Sequence, residues 1–100
     1  MLNIRKNEIQ SRYELVQDGQ VVGFAEYLVH GDSVILPHTV VDDSHEGEGL
    51  GGQLAKFALE DVKAEGKAVL PACPFIAAYI RHHPEYRALV PQDQWARFGL

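Results

Sequence analysis

Two kinds of side chain in this sequence could do nucleophilic or acid–base chemistry: one thiol and a few imidazoles. Cys73 is the chain's single cysteine and stands directly before Pro74 and the apolar segment PFIAAYIRH (74–82). A cysteine at a helix start lies where the helix dipole favours anions. Such a thiol is a candidate nucleophile. It can equally serve as a small buried side chain. Histidine is the side chain that titrates near neutrality, so His38, in SVILPHTVV (33–41), is a candidate base. The competing reading is a structural histidine on a strand face shared with Leu36 and Val40, with Thr39 on the opposite face. His82 and His83 follow Arg81 at a helix end, where cations are favoured. No pair among Cys73, His38, His82 and His83 has a recognised metal-ligand spacing, so no metal is expected. A Cys-His hydrolase would need an orienting group, and none is identifiable.

The second chemical feature is HEGEGLGGQLAKFALED (45–61), with glycines at 47, 49, 51 and 52 ahead of a helical pattern. A Walker A loop fails because Gln53 follows Gly51-Gly52. The dinucleotide fingerprint is weak, since no ribose-binding acid lies ~20 residues further on at a strand end. Converging N–H groups at a helix start can still hold a pyrophosphate without a lysine. The alternative is a glycine-rich strand-to-helix turn that binds nothing. Asp42, Asp43, Glu46 and Glu48 surround this stretch, and beside a phosphate they must point to water.

The elements that position these groups follow from periodicity. RYELVQ (12–17) alternates, Asp18-Gly19 marks a tight turn, and QVVGFAEYLVH (20–30) returns. Gly31-Asp32 turns the chain again into 33–41, which gives a three-stranded antiparallel meander. Pro37 inside the third strand requires an edge, a bulge or a parting from its neighbour. From Gly51 the period becomes helical, with Leu54, Phe57, Ala58 and Val62 on one face and Gly66 as a stop. KAVLPAC (67–73) reads as a buried strand, parallel to the third through the helical crossover. The helix from Pro74 ends near His83 because Pro84 follows. The fold class is therefore α+β, in the order β-β-β-α-β-α.

One hundred residues support one domain and one core. Hydrophobic residues make up 46% and charged residues 23%, which excludes a disordered chain. No apolar run reaches the length of a membrane span, and Met1–Gln10 lacks the apolar core of a signal peptide. The net charge of −5 argues against nucleic acid, and a lone cysteine fits the reducing cytoplasm. In the tail, 91–100, Trp95 and Phe98 dock on the domain or on a second copy, so a monomer or homodimer is expected.

EGEGLGGQLAKFAL resembles motif A of the GNAT acetyltransferases, Gln/Arg-x-x-Gly-x-Gly/Ala, with Glu46 first, Gly49 fourth and Gly51 sixth. Together with HTVV (38–41) and PACPFIAAYIRHHPEY (71–86), it is similar to the compact single-domain YjdJ-type branch over about residues 11–90. The resemblance implies a GNAT-like sheet whose fourth strand splays from the third. It also implies an N-acetyltransferase that uses acetyl-CoA and an amine acceptor, either by direct attack with His38 as the base and Cys73 lining the pocket or through an acetyl group carried on Cys73, or else a non-catalytic acyl-CoA-binding domain. Coenzyme A's pantetheine would lie in the wedge along Thr39, Val40 and Val41, beside Cys73 and Phe75. Its pyrophosphate would rest on the turn formed by Glu46, Gly47, Glu48, Gly49, Leu50, Gly51 and Gly52. Two departures stand out. Glu46 replaces the family's Gln or Arg, and Val40 stands where branch members often carry a glutamate.

Overall fold

The computed structural model describes residues 2–42 and 49–100. The chain opens on a strand, β1 (Leu2–Asn7), that the meander reading did not include. It pairs antiparallel with β2 (Arg12–Gln17), which turns through Asp18-Gly19 into β3 (Gln20–Glu26). The register slips between Leu15 and Val16. Tyr27 then breaks the expected strand 20–30, and β4 (Leu28–His30) continues in a different sheet. The next run breaks in the same way at residues 36–38, between β5 (Ser33–Ile35) and β6 (Thr39–Val41).

The meander is thus a single bent hairpin shared by two sheets. One sheet runs β1-β2-β3-β6 and the other runs β4-β5-β7, where β7 is Ala68–Leu70. Between them in sequence, α1 (Leu50–Ala64) makes the crossover, and β5 and β7 lie parallel with Val34 opposite Val69. The α+β class, the crossover helix and the parallel last strand agree with the sequence reading; the extra strand and the division into two sheets are new. α2 (Pro74–His82) follows, then a 3-10 segment at Pro84–Leu89 and a short α3 (Trp95–Phe98). Pro84 ends α2 where expected. No helix among the described residues is long and apolar enough to cross a membrane.

One core holds these parts together. α1 buries Leu54, Ala55, Ala58, Leu59 and Val62, a stripe at helical spacing, against Tyr13, Leu15, Val69, Ile76 and Ile80. Phe57 is only half-buried, and its ring meets Tyr13 edge-on at 5.9 Å. The tail docks on the domain itself. Trp95 donates its indole N–H to the Val90 carbonyl (2.9 Å), and Arg87 stacks on the Trp95 ring at 5.0 Å.

Glu14 is buried, although its neighbours in sequence read as alternating. It accepts hydrogen bonds from Arg12 Nε (2.6 Å), Arg5 Nε (2.8 Å) and Asn7 Nδ2 (3.2 Å). Burial by itself raises the carboxyl's pKa, but the Arg5, Arg12 and Asn7 hydrogen bonds outweigh it, and the net shift is below the ordinary 4.5. A carboxylate held below its unfolded value stabilises the fold in full above about pH 4.5 and loses that contribution as pH falls further. Glu14→Gln should therefore cost about 2 kcal/mol near neutrality. It should also flatten the fall in melting temperature between about pH 5 and pH 3. Parallel melting curves for the two proteins check this; an unchanged acid limb contradicts it.

A candidate acyl-transfer cleft

The two sheets part at Pro37. Up to that point the chains are joined: Leu36 N–H donates to the Leu70 carbonyl (3.0 Å), and Cys73 N–H donates to the Leu36 carbonyl (2.8 Å). Beyond it, β6 turns away to pair with β3 alone, in the pairs Gly23–Val41, Phe24–Val40 and Ala25–Thr39. β6 is therefore the end strand of its sheet, and its outer edge faces away from β3 with no strand beside it among the described residues. Proline suits this junction because a strand leaving its neighbour has no ladder bond to donate.

Cys73 and Thr39 meet where the strands separate. The buried Cys73 Sγ lies 3.5 Å from Thr39 Oγ1. Thr39, expected on the face opposite His38 and Val40, is thus the β6 side chain in contact with the thiol. Cys73 is also the residue before the first turn of α2, where Pro74 takes the position that needs no N–H donor.

His38 is placed differently from the expectation. Leu36 is buried in the core, whereas His38 and Val40 are exposed, so the break at Pro37 separates the face proposed for all three. The His38 ring meets Phe24 edge-on at 6.3 Å, and its carbonyl accepts the Glu26 N–H (2.9 Å). Val41 is half-buried. His83, by contrast, is used by the helix end. It stacks on Tyr79 (3.9 Å, 14°), and its Nδ1–H donates to the Tyr79 carbonyl at 2.9 Å.

The start of α1 lies against α2, the helix that Cys73 precedes. Gly49 precedes the helix at φ +73°, a left-handed conformation that L side chains rarely adopt. Glu46, Gly47 and Glu48 lie outside the described residues. Leu50 is buried in the core, so only its backbone is available to a ligand. Gly51 has a packing reason as well: a Cβ there would sit 2.8 Å from Phe75 Cζ. Tyr79, one turn further along α2, lies against Gly52, where a Cβ would be 3.6 Å from its Cε2. Phe75 and Tyr79, four residues apart, thus cover the glycine turn, with Phe75 still 44% exposed. Tyr79, half-buried and packed against the core, sits opposite Gly52, a pairing of α2 with α1 that spacing within α2 cannot reveal. As at any helix start, the N–H groups of Leu50, Gly51 and Gly52 have no acceptor within α1.

A split sheet, a crossover helix with a glycine start and a thiol at the point of parting agree with the fold that the GNAT resemblance implies. The fold is found in a GCN5-like putative N-acetyltransferase from Staphylococcus aureus, at a TM-score of 0.70 and 18% identity over 90% of this chain and 88% of that one. It is also found in the ribosomal-protein-S18-alanine N-acetyltransferase from Escherichia coli, at a TM-score of 0.56 and 27% identity over 58% of this chain. This chain spans 38% of the length of that enzyme. No curated protein sequence matches it. The family model described as GCN5-related N-acetyl-transferase matches residues 12–89, and the chain belongs to that family.

Proposed function

We propose that the chain binds acetyl-CoA in this cleft and transfers the acetyl group to an amine. The observation that supports this reading best is the parting of β6 from the β5–β7 pair at Pro37, which leaves a free strand edge opposite Cys73. A free edge offers alternating N–H and C=O groups, which suit the two amides of pantetheine. The open N–H groups at the start of α1 suit the pyrophosphate. On this reading Thr39, Val40 and Val41 hold the arm through their backbone, Gly49 to Gly52 hold the phosphates, and Phe75 lies alongside.

Two chemical routes fit the contact between Cys73 and Thr39. In the first, the amine loses its proton to a base and attacks the thioester carbon, expelling the coenzyme thiolate, while Cys73 only lines the pocket. His38 is then the proposed base, and it would have to reach the amine from its place against Phe24 on the opposite face of β6. In the second, the Cys73 sulfur attacks the same carbon and expels the coenzyme thiolate. The amine then attacks the new thioester and returns the thiol. A non-catalytic acyl-CoA-binding domain is the alternative reading, favoured by Val40 at the position where branch relatives often carry a glutamate.

Saturating acetyl-CoA should raise the melting temperature, since a ligand selective for the native state stabilises it. An unchanged melting temperature rules out both the enzyme and the binding domain. Incubation followed by intact-mass measurement separates the routes. An acetyl adduct that disappears in Cys73→Ser supports the relay. Undiminished transfer by Cys73→Ser leaves direct attack.

A further inference from the structure

A concavity whose lining residues include neither Thr39 nor Cys73 lies beside the start of α2. It encloses about 240 Å³ between α2 and the C-terminal segment. Pro71, Pro74, Ala77 and Phe98 give it apolar walls, and Arg81 and Arg97 line it as well. Neither arginine forms an ion pair with a carboxylate among the described residues. That is notable in a chain with 14 Asp and Glu against 9 Lys and Arg. Arg81 and Arg97 are both exposed. Arg97 lies over the Phe98 ring at 5.3 Å, with Nη1 3.4 Å from Gln94 Oε1. Arg81 runs along Gly99, where a Cβ would come within 3.3 Å of its Nη1.

Two guanidiniums on one small cavity repel each other and present several N–H donors, and a carboxylate satisfies both. The apolar walls select the rest of the ligand, a compact hydrocarbon or aromatic body. From this geometry we infer that the groove between α2 and α3 is a binding site for a small organic carboxylate with an apolar body. The site is separate from the cleft at Thr39 and Cys73, and the inference holds whether or not the chain transfers acetyl groups.

Phenylacetate is a suitable probe, with phenylacetamide as its uncharged counterpart. Titration followed by backbone amide NMR should give saturable shifts at Ala72, Ala77, Arg81, Arg97 and Phe98. Arg81→Gln and Arg97→Gln, both changes of exposed side chains, should each weaken binding about tenfold, the scale of one lost charge-assisted contact. Added salt should weaken it as well. The inference is overturned if phenylacetate gives no saturable shift, if phenylacetamide binds equally well, or if neither arginine variant weakens binding.

Discussion

Gly49→Asp is expected to fold and to lose acetyl-CoA affinity by about a hundredfold or more, close to 3 kcal/mol of binding energy. The backbone at Gly49 is left-handed, and none of the described residues comes within 4 Å of a Cβ placed there. Aspartate is among the residues that tolerate this conformation, so the strain stays near about 1 kcal/mol and the fold survives it. The new carboxylate then stands at the start of α1, where it accepts from the N–H groups that the proposed diphosphate would use and repels that ligand's charge. Gly49→Asn carries the same shape without the charge and should bind distinctly better than the aspartate. Calorimetric titration of the three proteins reads this directly. If aspartate binds like the wild type, the pyrophosphate lies elsewhere.

The largest expected loss of stability is at Leu59. It is wholly buried near the middle of the α1 stripe, in the core that both sheets and α2 share. Leu59→Ala should cost about 3 kcal/mol, from the lost transfer energy and the cavity left behind. In a domain of this size that lowers the melting temperature by roughly 15 °C. Lys56→Ala, an exposed change on the opposite face, should move it by no more than a degree or two, in line with the small effects of surface substitutions. Chemical denaturation of both variants provides the check. A Leu59→Ala loss below about 1 kcal/mol would mean that the core collapses onto the gap.

Much of this architecture was legible because local signals agreed with it. Asp18-Gly19 takes the two positive φ angles, 51° and 83°, that its dipeptide favours. α1 and α2 end where Gly66 and Pro84 direct. Pro37 marked the parting of the strands, and the glycine cluster marked the start of α1. What stayed hidden involves long-range partners. β1 escaped notice because Lys6 is one of its inward residues and counts as polar in any pattern. Its ammonium reaches Asp61 (2.9 Å) and lies 5.3 Å from the Tyr27 ring centroid, so its stem serves as apolar cover. Glu14 looked exposed for the same reason, since the two arginines that enclose it come from β1 and from β2 itself. The break at Tyr27 lacked even a proline: Tyr27 N–H donates to the Ser11 carbonyl (3.0 Å), and no sequence pattern announces that bond. At the site, periodicity put Leu36 on one face with His38 and Val40 because it assumed an unbroken strand through Pro37. Phe75 and Tyr79 opposite the glycines follow from how two helices dock, which spacing within one of them does not fix.

The bent hairpin has an energetic consequence. Because β3–β4 and β5–β6 change sheets at the same level, the gap beside β6 is held apart by ordinary backbone pairing on both flanks. A visiting ligand then does not have to pry open a closed sheet, and the associated reorganisation cost has been met during folding. Affinity for such a ligand should accordingly depend on how well its amides match the waiting edge, with little enthalpy diverted into remaking the protein.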